Sequence, residues 1–170
     1  EEKIPVPAIV QKVLTKGIGS FYKSEKGRRY FFDLKRESYL PVPERDGILI
    51  LKSVKEQTGV IQKNDAASLI DLGDGVAGLE FHSKMNAIDG DIVQMMDAAV
   101  ARVEKEFSGL VIYNDGENFS VGANLMLLFL AAQTEDWNQI EEVASTFQNA
   151  CMRLRYSAKP VIAAPFNLTL

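Results

Sequence analysis

Cysteine and histidine are nearly missing from this chain: Cys151 and His82 are the single examples among 170 residues. A lone cysteine excludes an internal disulfide framework and a cysteine-based zinc site, and it suits a reducing cytoplasm. A lone histidine excludes a histidine-rich metal site within the chain, so no metal is expected. Any Ser-His-Asp triad would have to be built around His82, which "LEFHSKMNA" reads as a partly exposed strand-end residue. Excess positive charge is missing too. The net charge of −4 leaves no basic stripe to neutralise phosphates, which argues against a nucleic-acid binder. No signal peptide is found, and no apolar run approaches a membrane span. The stretch from Val121 to Ala132 is too short and opens with small and polar residues.

What is present is ordinary globular chemistry, 46% hydrophobic and 25% charged, enough for a real core. The text changes character near residue 60. Residues 1–47 are rich in proline, glycine, aromatics and charge. Pro7 suits a first helical position ahead of Ala8, Ile9, Val10, Val13 and Leu14, with Gly17 or Gly19 as the stop. Phe21-Tyr22, Tyr30-Phe31-Phe32 and Tyr39-Leu40 read as short strands around a Lys26-Gly27 turn. So few core positions cannot fold alone. Residues 48–65 contain "ILILKSVKEQTGVIQK", expected to be a strand and then a short helix, serving as a connector.

From residue 66 the signals sharpen. Apolar runs flank Gly73-Asp74-Gly75, a strong hairpin signature, and Asp71 and Asp74 are turn aspartates rather than calcium ligands. "NAIDGDIVQMMDAAVARVEKEF" puts Ile92, Met95, Met96, Ala99, Val103 and Phe107 on one helical face, with Asp89 and Asp91 favoured in the first turn. "GLVIYN" is a short apolar run of the buried, parallel kind. Helices are expected at about 122–132 and 135–155, the second with Trp137, Ile140, Val143, Phe147, Cys151 and Leu154 inward, making Cys151 an inert core thiol. "KPVIAAPFNLTL" reads as a strand.

The segment "ENFSVGANL" carries the chemistry. A strand, a polar loop and a helix starting near Gly122 leave backbone N–H groups without intrahelical partners at the positive end of the helix dipole. Small residues at Gly122 and Ala123 would let a carbonyl approach, and such donors can hold an oxyanion. A turn that needs glycine for its own geometry explains the same residues equally well.

"ASLIDLGDGVAGLEFHSKMNAI", "GLVIYNDGENFSVGANL" and "KPVIAAPFNLTL", in that order, resemble the first half of a crotonase, the enoyl-CoA hydratase/isomerase superfamily. The resemblance implies an α/β fold: the first turns of a crotonase-like ββα spiral, preceded by a short helix and small strands. It implies that the Ala123 N–H is one oxyanion donor for an acyl-CoA thioester, and that Lys84, Asn86, Ala87, Val121 and Gly122 line the acyl-CoA groove. Val121 and Asn124 depart from the family's usual alanine and aspartate. "KIPVPAIVQKVLTKGIGSFYKSEKGRRYFFDL" is similar to the tail of a 3-hydroxyacyl-CoA dehydrogenase helical domain. Together these imply residues 1–47 as that tail, 48–65 as connector and 66–170 as the N-terminal half of a crotonase-like domain.

On that resemblance the parent is a cytoplasmic fatty-acid β-oxidation enzyme, oxidising 3-hydroxyacyl-CoA with NAD and hydrating or isomerising enoyl-CoA. NAD enters only through the family, since no dinucleotide fingerprint is read in these residues. In the family the second oxyanion donor and the proton-moving carboxylates follow the Lys-Pro-Val strand, so the chain is expected to be inactive alone. It is also expected to self-associate through apolar surface left open. The alternative is a non-catalytic acyl-CoA-binding or scaffolding module. A weaker third reading, a βαβ nucleotide-binding protein, lacks a P-loop lysine.

Overall fold

The computed structural model describes residues 5–43 and 47–170; the start of the dehydrogenase-like resemblance at Lys3 and Ile4 lies outside them. The chain divides into two compact units, residues 1–57 and 58–170.

In the first unit, Pro7 caps helix α1 (Ala8–Thr15), whose end is turned by Gly17 at φ +69°. Strands β1 (Tyr22–Glu25), β2 (Arg28–Asp33) and β3 (Ser38–Pro41) form an antiparallel sheet. Lys26 and Gly27, both at positive φ, make the expected first turn. Helix α2 (Leu51–Thr58) lies against that turn: the Gly27 N–H donates to Glu56 Oε2 at 3.1 Å. A Cβ on Gly27 would sit 2.7 Å from the Ser53 carbonyl oxygen, so only glycine fits there. The order of elements in the connector differs from expectation. The apolar residues 48–50 are exposed and precede a helix, and the strand comes after it.

That strand, β4 (Val60–Lys63), opens the second unit's sheet, followed by β5 (Ala67–Gly73), β6 (Val76–Phe81), β7 (Gly109–Tyr113) and β8 (Val161–Ala163). Spatial order follows chain order; β4, β5 and β6 pair antiparallel, and β6, β7 and β8 parallel. The β5–β6 hairpin turns through Gly73, Asp74 and Gly75, all at positive φ. Contrary to the expectation from sequence, a Gly-x-Gly-x-x-Gly pattern is present, at Gly73, Gly75 and Gly78. They join strand to strand, with no helix N-terminus to receive a pyrophosphate, so the fingerprint's chemistry is absent.

Helix α3 (Gly90–Glu106) crosses from β6 to β7, as parallel pairing demands. Asp89 caps it, its Oδ1 accepting from the Ile92 N–H at 3.0 Å. Its stripe of Ile92, Met95, Met96, Ala99 and Val103 packs on one sheet face, against Ala67, Leu69, Leu79, Leu110 and Ile112. Strand alternation puts Ser68, Glu80 and His82 on the other face. Each fully buried large side chain in this core contributes about 1.5–3 kcal/mol.

Helices α4 (Leu125–Gln133) and α5 (Trp137–Arg155) follow β7. The α5 stripe is inward only in its second half: Phe147, Ala150 and Leu154 join the core. Trp137 is 65% exposed and Cys151 is exposed, so Cys151 is a surface thiol rather than a core one. The expected strand at the end of the chain is short, and beyond it Thr169 makes only an isolated bridge with Ser120.

Candidate functional site

The turn between β7 and α4 is fastened to the loop between β6 and α3. Residues 84–86 form one 3-10 turn in which Met85 and Asn86 both have positive φ. Such consecutive left-handed residues are strained unless their surroundings fix them. Here they do. The Ser120 hydroxyl donates to the Asn86 carbonyl at 2.8 Å, and the Asn86 side-chain amide donates to the Asn118 carbonyl at 2.9 Å.

Two further bonds zip the segments together. The Ile88 N–H donates to the Gly122 carbonyl and the Asn124 N–H to the Ile88 carbonyl, each at 2.9 Å. The bridge partner of Ile88 is Ala123. In this parallel arrangement Ala123's own N–H points away from the Ile88 strand. The Gly122 N–H is taken by Ser120 Oγ at 3.0 Å. Of three successive amides, two are therefore spent inside the chain, and Ala123, an exposed residue, donates to no described partner.

Gly122 has φ +83°, and a Cβ there would lie 3.3 Å from the Leu170 Cβ. The chain's own backbone, not a ligand, explains this glycine. The Asn124 side chain caps α4, its Oδ1 accepting from the Met126 N–H at 3.2 Å, so residues 121–124 carry no ionised group. Asn86, Ala87, Val121, Gly122 and Ala123 are thus neighbours. Lys84 is exposed, and no described contact ties it to residues 121–124.

A cavity of about 480 Å³ opens at the carboxyl ends of β6 and β7, lined among others by Glu80, His82, Asn86, Asp115 and Glu117. Of the residues singled out from sequence, it includes Asn86 and none of Ala87, Val121, Gly122 or Ala123. Three carboxylate-bearing residues in its lining make this cavity unfavourable for a phosphate-bearing ligand. Sequence reasoning missed the cavity, although Asn114-Asp115-Gly116 is an Asx-turn signature; Asn114 Oδ1 accepts from the Gly116 N–H at 2.8 Å. Beside it, burial together with the Glu80 and Asp115 carboxyls pushes the Tyr113 phenol well above its ordinary pKa, keeping it protonated.

His82 Nε2 lies 2.9 Å from Ser68 Oγ. Ser68 is only 3% exposed, so a substrate carbonyl cannot reach that hydroxyl, and a serine-hydrolase arrangement is ruled out at this pair. Among the described residues no cluster of metal-ligating side chains occurs, and no helix is long and apolar enough to cross a membrane.

No family model matches the chain. Over 165 residues it is 46% identical to a Bacillus subtilis protein described as a probable 3-hydroxyacyl-CoA dehydrogenase, covering 97% of this chain and 21% of that protein. It is 26% identical over 119 residues to a Rickettsia felis protein described as a trifunctional enzyme of a fatty acid oxidation complex, covering 70% of this chain and 16% of that one. The chain therefore spans about a fifth of these relatives' length. Its fold is shared with an enoyl-CoA hydratase/carnitine racemase from Magnetospirillum magneticum, at TM-score 0.52 and 19% identity, over 62% of this chain and 40% of that one. In sequence the chain is thus similar to part of a probable 3-hydroxyacyl-CoA dehydrogenase, and as a mixed α/β structure it has part of the crotonase (enoyl-CoA hydratase/isomerase) fold.

Proposed function

We propose that the chain is part of a fatty-acid β-oxidation enzyme and that its Ala123 N–H donates to the carbonyl oxygen of an acyl-CoA thioester. The observation that carries this reading is the pattern of spent and unspent amides at 122–124. A preorganised donor strengthens its hydrogen bond as charge develops on that oxygen, and losing one such donor typically costs about 10²–10³ in rate. The positive end of the α4 dipole adds to it, and the neutral Asn124 cap places no opposing charge beside the oxygen. Ala87, Val121 and Gly122 would form the groove wall, with Lys84 reaching towards a coenzyme A phosphate.

The whole protein would couple enoyl-CoA hydration or isomerisation to NAD-dependent oxidation of 3-hydroxyacyl-CoA in the cytoplasm. The glycines at 73, 75 and 78 join strand to strand and do not fit a dinucleotide pyrophosphate. One donor without a positioned acid and base cannot move protons at the substrate's carbons, so the isolated chain is inactive. Hydration of crotonyl-CoA by it above background would overturn that.

A non-catalytic acyl-CoA-binding module is the second reading, favoured by Asn124, whose side chain is spent on capping α4. Self-association is part of the proposal as well: Leu125, Met126, Phe129 and Leu130 are all more than half exposed on α4. A sedimentation mass of one chain at micromolar concentration would count against it. The site itself is tested by replacing the Ala123 amide N–H with an ester oxygen, which deletes the donor and keeps the side chain. Calorimetric affinity for acetoacetyl-CoA should fall about tenfold; an unchanged affinity refutes the role of this amide.

A further inference from the structure

Ser120 is 1% exposed, and its hydroxyl lies between two segments rather than in a cavity. It has one proton to give and gives it to the Asn86 carbonyl at 2.8 Å. It accepts the Gly122 N–H at 3.0 Å. Its backbone is held as well: the Ser120 N–H donates to the Leu168 carbonyl, and the Leu170 N–H donates to the Ser120 carbonyl, both at 3.2 Å. The residue is thus fixed on both sides while its hydroxyl bridges the strained loop at Asn86 and the amide of Gly122.

We propose that Ser120 is a positioning residue whose hydroxyl leaves Ala123 as the one unspent donor among the amides of Gly122, Ala123 and Asn124. The inference rests on the acyl-CoA reading above and deepens it. A serine at this point performs two tasks that alanine cannot. It satisfies a buried carbonyl on a left-handed residue, which fixes the 84–88 loop and through it the Ile88–Ala123 bridge. It also withdraws the Gly122 N–H from competition, so that a ligand oxygen meets one amide in one direction rather than two in divergent directions. Misplacement of a reacting group by about 1 Å is enough to cost about a hundredfold in rate.

Amide exchange and chemical shifts in 15N-labelled protein read this directly. In the free wild-type chain the Gly122 and Asn124 amides should be protected from exchange and Ala123 should not. Protection of Ala123 equal to that of its neighbours overturns the proposal, and needs no variant. On titration with butyryl-CoA the Ala123 amide should shift downfield while Gly122 stays put. In Ser120→Ala, Gly122 should lose protection by about tenfold or more and share the ligand-induced shift with Ala123. Ser120→Thr keeps the hydroxyl. It should restore the single responding amide even if its melting temperature falls, an outcome a merely structural serine would not give. Should Ser120→Ala fail to fold, Ser120→Cys, close in size but a weak donor, should show the same divided response. If Ala123 is silent to butyryl-CoA in the wild type, the acyl-CoA reading fails. If Ala123 alone responds in both wild type and Ser120→Ala, that reading stands and the role of Ser120 falls.

Discussion

Replacing Gly122 by alanine tests how the amide turn is built. Two costs are expected. Alanine at φ +83° sits in the left-handed region, which costs about 1–2 kcal/mol for a residue with a Cβ. The new methyl would also lie 3.3 Å from the Leu170 Cβ and 3.5 Å from its carbonyl carbon, so that residue must give by a few tenths of an ångström. Leu170 is 75% exposed and can shift, which keeps this second cost near the low end of overpacking, about 1 kcal/mol. Backbone strain therefore outweighs the clash, and the sum is about 2–3 kcal/mol. Gly73 supplies the control: its φ is +89°, and nothing lies within 4 Å of its missing Cβ. Gly73→Ala should show the strain alone, about 1–2 kcal/mol. Adding Leu170→Gly to Gly122→Ala should recover about 1 kcal/mol, the contact part. Urea unfolding followed by the fluorescence of Trp137, the one tryptophan, reports on the second unit where all three positions lie. Gly122→Ala costing no more than Gly73→Ala would refute the close approach of Leu170. A cost below about 0.5 kcal/mol would refute the strained geometry as well.

Other expectations concern both units. Lys12 and Lys16 both pair with Glu37 and hold its carboxyl down at about 2. A depressed folded pKa contributes stability above the unfolded value, lost as pH falls through about 4.5 towards 2. Glu37→Gln should flatten that part of the acid limb, most visibly at low salt because the pair is exposed; an unaltered acid limb contradicts the pairing. Cys151 is exposed, while partial burial pushes its thiol pKa up. Ellman's reagent should therefore label the folded chain without denaturant, slowly at neutral pH and faster as pH rises. Labelling that requires urea would return Cys151 to the core. Leu79→Ala, at a fully buried position, should cost about 2–5 kcal/mol, whereas Ile162→Ala, 61% exposed, should cost less than about 0.5.

How far the sequence was legible follows from what each signal measures. The Gly73-Asp74-Gly75 turn and the α3 stripe were readable because turn chemistry and periodicity are local properties. The run at 109–113 was readable as a parallel strand because it is apolar on both faces. For α5, periodicity identified an apolar side but not how much partner surface exists. Phe147, Ala150 and Leu154 find one and Trp137 does not. Residues 48–50 have strand-like side chains yet precede a helix, while β4 is fixed by its pairing with β5, a non-local fact. The same holds at the site. Ala123 stood out from composition, and the Gly122 amide is taken by Ser120 two residues away, but the withdrawal of the Asn124 amide by Ile88 and the anchoring of Ser120 on Asn86 depend on bonds across more than thirty residues. No local pattern encodes that.

The most direct measurement is a titration of the 15N-alanine-labelled chain with butyryl-CoA, following the Ala123 amide resonance. The account predicts a saturable downfield shift at Ala123 together with slowed exchange of that proton. A titration that moves resonances elsewhere on the chain, or none at all, while Ala123 stays fixed would contradict it.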